Sequence, residues 1–154
     1  MITKSKLVCF ITSMAVCFVP MLVAWFVMPP GEWYISLVKP PLTPPGWVFG
    51  PVWTILYFML GIILYKVMQS GMENKKMLLM LFFGQLFLNA LWSPLFFGIH
   101  WVFISLCLAI AMVVLCAVFL YKAQFHRMLT MLMMPYIMWL CFASYLTAGI
   151  LFLN

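Results

Sequence analysis

Five apolar runs, each of roughly 20 residues, follow one another along this chain with short connections between them. About 20 residues of α-helix cross the hydrocarbon core of a bilayer, and a helix satisfies its own backbone hydrogen bonds there. The runs are continuously apolar and lack the alternation of a transmembrane β-strand. The sequence therefore predicts one domain over residues 1–154, an all-α membrane protein built as a bundle of five transmembrane helices. The predicted spans are about 6–28, 47–68, 77–97, 101–121 and 128–152.

Charged residues are scarce and unevenly placed. They make up 6% of the chain against 68% hydrophobic residues, so lipid rather than water must solvate most of the surface. If the chain crosses five times, all the basic residues except Lys39 fall on one side. By the positive-inside rule the N terminus is expected in the cytoplasm and the C terminus outside. The net charge of +6 then reflects topology and contact with anionic lipid, not a nucleic-acid partner.

The connection between the first two spans, residues 29–46 and here called the first connection, is rich in proline and tryptophan. Residues 29–51 hold seven of the chain's ten prolines. Proline fixes φ and donates no amide hydrogen, so paired prolines favour a stiff, extended segment. The sequence predicts a structured loop that holds aromatic rings over one end of the bundle.

The seven tryptophans map to the outer half of the predicted bundle or near its middle. An interfacial aromatic belt is one interpretation, but a belt normally supplies tryptophan at both membrane surfaces. An aromatic pocket that opens toward the outer side is the other, and the sequence leaves both open. The seven are Trp25, Trp33, Trp47, Trp53, Trp92, Trp101 and Trp139.

The third span carries amide side chains at membrane depth. Gln85, Asn89, Trp92 and Phe96 follow i, i+4, i+7, i+11 spacing and share one helical face. An amide in hydrocarbon needs a partner, and two interpretations remain open for Asn89. It bonds a neighbouring helix, or it contacts a ligand together with the Trp53 N–H, the Tyr57 O–H and Ser93.

A conventional catalytic site is not predicted. The only carboxylates, Glu32 and Glu73, lie in connections on opposite sides, which excludes a paired-carboxylate mechanism. His100 and His126 are likewise separated by the bilayer, so they cannot share a metal, and no metal site is predicted. A surface histidine is the favoured interpretation of His100, with an axial ligand to haem iron as the alternative.

Motifs in three different spans resemble the tryptophan-rich sensory protein family, also called the translocator protein or peripheral benzodiazepine receptor family. The motifs occur in order and cover nearly the whole chain. They are Trp33-Tyr34, Lys39-Pro40, Pro44-Pro45 with Trp47, Pro51-Val52-Trp53-Thr54 with Leu56-Tyr57, Gly84-Gln85-Leu86 with Asn89 and Trp92, Phe96-Phe97-Gly98, and Pro135-Tyr136 with Trp139-Leu140 and Phe142-Ala143.

The resemblance implies a bacterial receptor or sensor in the cell membrane, usually a homodimer. It implies a pocket, roofed by the first connection, that binds porphyrins such as protoporphyrin IX, haem-related tetrapyrroles and benzodiazepine-type ligands. No cofactor is required, since porphyrin would be ligand or substrate. The implied ligand-binding residues are Trp33, Tyr34, Pro44, Pro45, Trp47, Trp53, Tyr57, Asn89, Trp92, Trp139, Phe142 and Ala143.

The resemblance also suggests light- and oxygen-dependent degradation of protoporphyrin IX, with Trp53 and Trp139 as the photochemical residues. The alternative is a transporter of porphyrins or other amphiphiles. Sterol binding, which some relatives show, is not predicted. The sterol pattern needs a basic residue shortly after a tyrosine in the last span, and none follows Tyr145.

Overall fold

Five long helices form where the apolar runs predict them. The computed structural model describes residues 4–27, 31–124 and 126–154, and the predicted end of the first span at residue 28 lies outside them. Each of the five is long and apolar enough to cross a membrane, and the described residues contain no β-strand, which confirms the predicted fold class. The long helices are α1 (Lys4–Val27), α3 (Gly46–Gln69), α4 (Lys75–Ser93), α5 (Val102–Lys122) and α6 (Arg127–Leu153), and a short α2 (Glu32–Ser36) lies in the first connection.

Proline shapes the end of α4 that lies near the first connection. A π-helical turn, Pro94–Gly98, continues the helix, and the Ile99 N–H donates to the Pro94 carbonyl at 3.0 Å. Proline has no N–H to offer the preceding turn, so the regular α-helical bonding stops there. A π turn adds a residue to the repeat and re-aims the side chains that follow, a feature that is frequent at functional sites.

The helices form a ring in the order α1, α3, α6, α5, α4. Helix α1 packs against α3 and α4, α5 packs against α4 and α6, and α3 and α6 close the ring with less extensive contact. The most deeply buried apolar side chains lie in the half of the bundle away from the first connection. They include Leu60, Ile63, Leu64, Leu78, Phe82, Met112, Phe119, Leu129 and Met133.

The two halves of the bundle therefore differ in character. Aliphatic and methionine side chains, with Phe82 and Phe119, fill the half that carries the basic connections, whereas clusters of aromatic rings occupy the half under the first connection. Large apolar side chains are also exposed on every long helix, as expected where lipid is the solvent.

Candidate ligand-binding site

Four buried polar side chains from three helices are hydrogen-bonded in a chain, here called the polar cluster. The Tyr57 hydroxyl on α3 donates to Asn89 Oδ1 on α4 at 2.5 Å. Asn89 Nδ2 donates to the Tyr136 hydroxyl on α6 at 3.2 Å, and that hydroxyl donates to Gln85 Oε1 at 2.7 Å. All four residues are at most 5% exposed. The cluster ties α3, α4 and α6 together and shows the helix-to-helix contact of Asn89 that the sequence left open.

Aromatic rings on α3 and α6 stand above the polar cluster and are here called the α3–α6 aromatic cluster. The Trp53 ring stacks on Tyr57 with centroids 5.4 Å apart and meets the Trp139 ring edge-on at 6.3 Å. Trp139 also contacts Phe49 at 5.8 Å and Phe142 at 5.6 Å. The Trp53 and Trp139 planes are 89° apart. This corner offers a flat ligand the face of one indole and the edge of the other.

A second group of rings, here called the roof cluster, attaches the first connection to the end of α4. Trp33 stacks on His100 with centroids 3.9 Å apart and planes 14° apart, and it meets Phe96 edge-on at 5.6 Å. Tyr34 contacts Phe96 from the other side at 6.1 Å, while Trp92 stacks on Phe96 at 4.7 Å. Phe96, on the π turn, thus lies at the centre of the cluster. The predicted aromatic loop over one end of the bundle is confirmed.

Two residues of the roof cluster carry further constraints. His100 has φ 63°, a left-handed conformation that costs energy for a non-glycine residue, and its stacking on Trp33 offsets part of that cost. Lys39 Nζ lies 4.9 Å from the Tyr34 ring centroid, close enough for a cation–π interaction. Partial burial raises the pKa of the Tyr34 phenol.

The first connection is also hydrogen-bonded to the end of α6, in an arrangement here called the latch. Asn154 Oδ1 accepts from the Val38 N–H at 2.9 Å, and Asn154 Nδ2 donates to the Val38 carbonyl at 3.0 Å. The Tyr145 hydroxyl donates to the Pro41 carbonyl at 2.8 Å. These bonds satisfy backbone groups that the proline-rich segment cannot pair with a regular ladder.

Close packing reinforces the latch. Pro40 is buried against Gly149 of α6, and a Cβ added to Gly149 would lie 2.5 Å from Pro40 Cβ and 2.6 Å from Pro40 Cγ. Only glycine leaves room for the proline ring at that distance. The first connection is therefore held at two places, by the roof cluster on α4 and by the latch on α6.

Three N–H donors of the polar and aromatic clusters are buried without a hydrogen-bond partner. They are Trp92 Nε1, Trp139 Nε1 and Gln85 Nε2, and Thr130 Oγ1 is unpartnered elsewhere in the described residues. An unpaired buried donor costs about 1–3 kcal/mol, and such groups are uncommon in native proteins. Their concentration beside the aromatic and polar clusters is what a site for a ligand with acceptor groups requires.

A groove opens beside the α3–α6 aromatic cluster, between α3 and α6. It has a volume of about 470 Å³ and an almost entirely apolar surface. This volume falls within the range of about 300–1,000 Å³ typical of small-molecule sites. Its lining residues are Val52, Ile55, Leu56, Met59, Pro135, Met138 and Trp139.

The structure brings together most of the site residues that the resemblance implied. Trp33, Tyr34 and Trp92 meet in the roof cluster, and Trp53, Tyr57, Asn89, Trp139 and Phe142 meet in the α3–α6 aromatic and polar clusters. It does not bring the others to these clusters. Trp47 is 77% exposed, Pro45 is exposed, and Pro44 and Ala143 are half-buried outside the aromatic contacts.

The seven tryptophans fall into two groups in the structure. Trp25, Trp47 and Trp101 are exposed, as in an interfacial belt, whereas the other four belong to the two aromatic clusters. Sequence reasoning did not select Tyr136 or Asn154 as site residues. The signal for Tyr136 was its hydroxyl in an apolar span, directly after Pro135. Nothing in the local sequence connects Asn154 to Val38.

Within the described part of the chain, no three His, Cys, Asp or Glu residues come together as a metal site would require. His100 stacks on an indole and stands alone. What the arrangement offers is a surface for a flat aromatic molecule, lined by ring faces and by a few N–H donors.

Comparison with known proteins shows to which family this chain belongs. The model of the TspO/MBR family matches residues 10–153. The chain is 43% identical over 125 residues to the tryptophan-rich protein TspO of Archaeoglobus fulgidus, covering 79% of this chain and 80% of the relative. It is 33% identical over 129 residues to the tryptophan-rich sensory protein of Cereibacter sphaeroides, covering 83% and 80%. It is 36% identical over 119 residues to the human translocator protein, covering 73% and 69%. The chain therefore belongs to the TspO/MBR family and is an integral membrane protein of the kind its relatives name as tryptophan-rich sensory and translocator proteins.

Proposed function

We propose that this protein is a membrane receptor that binds porphyrins, such as protoporphyrin IX, at the α3–α6 aromatic cluster. One observation carries the proposal: the indole N–H of Trp139 is buried without a partner inside a wall of aromatic rings. A porphyrin is a flat aromatic ring with carboxylate side chains. Its face suits the indole and phenol rings, and its oxygen atoms suit the unpaired N–H groups.

The polar cluster supports the same ligand class. Gln85 Nε2 is a second unpartnered donor, only 1% exposed, and it lies on the face of α4 that also carries Asn89. Benzodiazepine-type ligands combine flat aromatic rings with a carbonyl acceptor, so the same walls and donors suit them. The site thus selects flat aromatic ligands that carry a few hydrogen-bond acceptors, and it does not require one particular chemical skeleton.

Light-dependent turnover is a second candidate, and one contact favours it. Trp53 touches both Trp139 and Tyr57, so three oxidisable rings are connected through Trp53 beside the proposed porphyrin position. Such rings are placed to exchange electrons with a photoexcited porphyrin, while oxygen serves as the oxidant and the porphyrin is oxidised. Binding alone does not require oxygen or light, which makes the two candidates separable.

A titration tests the receptor proposal. Purified protein in nanodiscs is titrated with protoporphyrin IX in darkness, and porphyrin absorbance and tryptophan fluorescence are read together. Saturable binding is expected, and Trp53→Phe with Trp139→Phe should weaken it at least about tenfold, or roughly 1.4 kcal/mol. Trp101→Phe is the matched control, since Trp101 is exposed and outside both clusters. Wild-type protein without saturable binding would overturn the proposal.

Illumination of the complex then tests turnover. A new absorbing product that needs oxygen and disappears in the Trp53→Phe, Trp139→Phe protein supports photochemical degradation. Bleaching at the same rate in that double variant, or in lipid alone, would exclude it. Directional uptake of porphyrin into proteoliposomes would instead identify a transporter.

We also propose the orientation in the membrane. Lys66, Lys75, Lys122 and Arg127 lie at the helix ends opposite the first connection, which contains Lys39. The positive-inside rule then puts the first connection outside the cell. A membrane-impermeant maleimide should label Glu32→Cys in intact cells in a cysteine-free background and Glu73→Cys only after permeabilisation. The reverse pattern would refute this orientation.

A further inference from the structure

The interface between α3 and α6, here called the seam, is the least extensive of the interfaces between neighbouring helices in the ring. Helices α3 and α6 are neighbours, yet they contact each other less extensively than α1 contacts α3 or α5 contacts α6. Both helices contain an internal proline. Pro51 lies in the half of α3 near the first connection, and Pro135 lies in the half of α6 away from it. Each proline removes a backbone hydrogen bond and crowds the preceding turn, so it marks a point at which the α3–α6 interface is interrupted in its regular backbone bonding.

The groove described above occupies this seam. Pro135 lines it, and Val52 beside Pro51 lines it from the other helix. Its rim is exposed, with Ile55 56% and Met138 67% exposed near the middle of their helices. A rim at that depth faces the hydrocarbon core, not water. The groove is therefore a lateral opening toward lipid.

Trp139 connects the groove to the proposed porphyrin site. It lines the groove and at the same time contacts Trp53, Phe49 and Phe142 in the α3–α6 aromatic cluster. Its Nε1 atom is buried and has no hydrogen-bond partner. A flat apolar ring that slides into the groove from the bilayer thus meets the proposed binding surface without leaving an apolar environment.

The end of the bundle under the first connection is held closed by contacts among the described residues. The roof cluster fixes the first connection to α4, and the latch fixes it to α6 through Asn154, Tyr145 and the Pro40–Gly149 contact. Opening this end would break several hydrogen bonds and separate stacked rings. At the seam, by contrast, the groove is bordered by the side chains of Ile55 and Met138, which are already exposed.

We propose that porphyrin enters sideways from the membrane, through the groove between α3 and α6, and reaches Trp139 and Trp53 by that path. The inference rests on the proposed porphyrin binding and adds the route and the residues that control it. Ile55 and Met138 form the mouth of the entrance. The porphyrin macrocycle partitions into hydrocarbon while its carboxylates stay toward the water interface, so the bilayer itself supplies the ring to the groove.

The kinetics of protoporphyrin IX binding test the route. Association with wild-type protein in nanodiscs is followed by stopped-flow porphyrin fluorescence. Ile55→Trp narrows the mouth, so association and dissociation should both slow by about tenfold while the Kd changes by less than about twofold. Ile55→Ala widens it and should speed both rates. Ile110→Trp is the matched control, because Ile110 is 50% exposed near the middle of α5, away from the groove.

A further variant separates the two routes. Asn154→Ala removes the paired bonds of the latch, so it should speed association if porphyrin comes through the end of the bundle and leave the rate unchanged if it comes through the seam. Unchanged rates in Ile55→Trp and Ile55→Ala, slowing by Ile110→Trp as well, or faster association in Asn154→Ala would each overturn the lateral route while leaving porphyrin binding intact. Wild-type protein that fails to bind at all would overturn the proposed function, and the route with it.

Discussion

The carboxamide of Asn154, at the end of α6, pairs with both backbone groups of Val38 in the first connection. These two hydrogen bonds have the pattern of a bridge between two β-strands, with the Asn154 carboxamide in the place of the second strand's backbone. Only a side chain that combines a donor and an acceptor in this geometry can do so. The last turn of the bundle thereby determines where the proline-rich connection lies, 116 residues earlier in the chain.

Removal of this pair should loosen the first connection without unfolding the bundle. In Asn154→Ala, both bonds to Val38 are lost, and the opening free energy of the segment should fall by about 1–3 kcal/mol. Hydrogen exchange at the Val38 amide measures it. Asn154→Asp keeps an acceptor for the Val38 N–H and should fall between wild type and Asn154→Ala. Equal protection in all three proteins would contradict the latch.

Two glycines provide a matched test of the contact between α6 and the first connection. Gly149→Ala places a Cβ in contact with the buried Pro40 ring, so it should displace the connection or destabilise the protein by about 1–3 kcal/mol. At Gly84 of α4 the added Cβ would lie 3.7 Å from Leu115 Cδ1, an ordinary contact. Gly84→Ala should therefore be neutral, or stabilising by up to about 1 kcal/mol through helix propensity. Thermal unfolding in the same detergent compares them, and equal effects would refute the contact.

The polar cluster predicts an order of stability among tyrosine variants. Tyr136→Phe removes a hydroxyl that donates to Gln85 and accepts from Asn89, whereas Tyr57→Phe removes one bond to Asn89. Hydrogen bonds between membrane helices contribute about 0.6 to 2 kcal/mol, so Tyr136→Phe should destabilise more than Tyr57→Phe. Tyr121→Phe, at an exposed position, should change little. The reverse order in unfolding measurements would show that the cluster is not shared between the helices as described.

Trp139→Phe distinguishes a ligand-binding indole from a structural one. The buried Nε1–H has no partner in the protein, so removal of this group costs no internal hydrogen bond. Stability without ligand should stay within about 1 kcal/mol of wild type, while porphyrin affinity should fall by about tenfold. Thermal unfolding measured with and without protoporphyrin IX gives both quantities. A large loss of stability without ligand would favour a purely structural role.

Alkaline pH should detach the first connection through Tyr34. Burial raises the pKa of this phenol, so the attached state holds the proton more tightly than the detached state does. Tyr34 therefore stabilises the attached state fully at pH values below the ordinary tyrosine pKa of about 10. This stabilisation is lost as the pH rises through the raised pKa. Limited proteolysis of the connection should accelerate above pH of about 10 in wild type and less steeply in Tyr34→Phe, which retains Lys39. The same pH profile in both proteins would contradict this role of Tyr34.

Length and periodicity alone predicted much of the fold. Apolar runs of spanning length in a chain with few charges leave the backbone no partner but itself, so the helices and their approximate bounds follow from local physics. The shared face of Gln85, Asn89 and Phe96 was also predictable, because helical spacing fixes it before any other helix is present. The prolines of the first connection likewise predicted a stiff segment, because proline restricts φ whatever the rest of the chain does.

Which helices meet was decided only by the tertiary structure. The order of the ring puts Tyr57 and Tyr136 on either side of Asn89, places Trp139 against Trp53, and leaves Trp47 outside. The resemblance alone implied one pocket that included Trp47, Trp53 and Trp139 without distinguishing them, and it did not select Tyr136. The latch between Asn154 and Val38 and the groove at the α3–α6 seam likewise depend on distances between segments far apart in the chain. The local sequence pattern determines whether a segment pairs its own backbone N–H and C=O groups by forming a helix. Contacts between segments depend on how five helices share one ring, and packing and hydrogen bonding settle that only when all of them are in place.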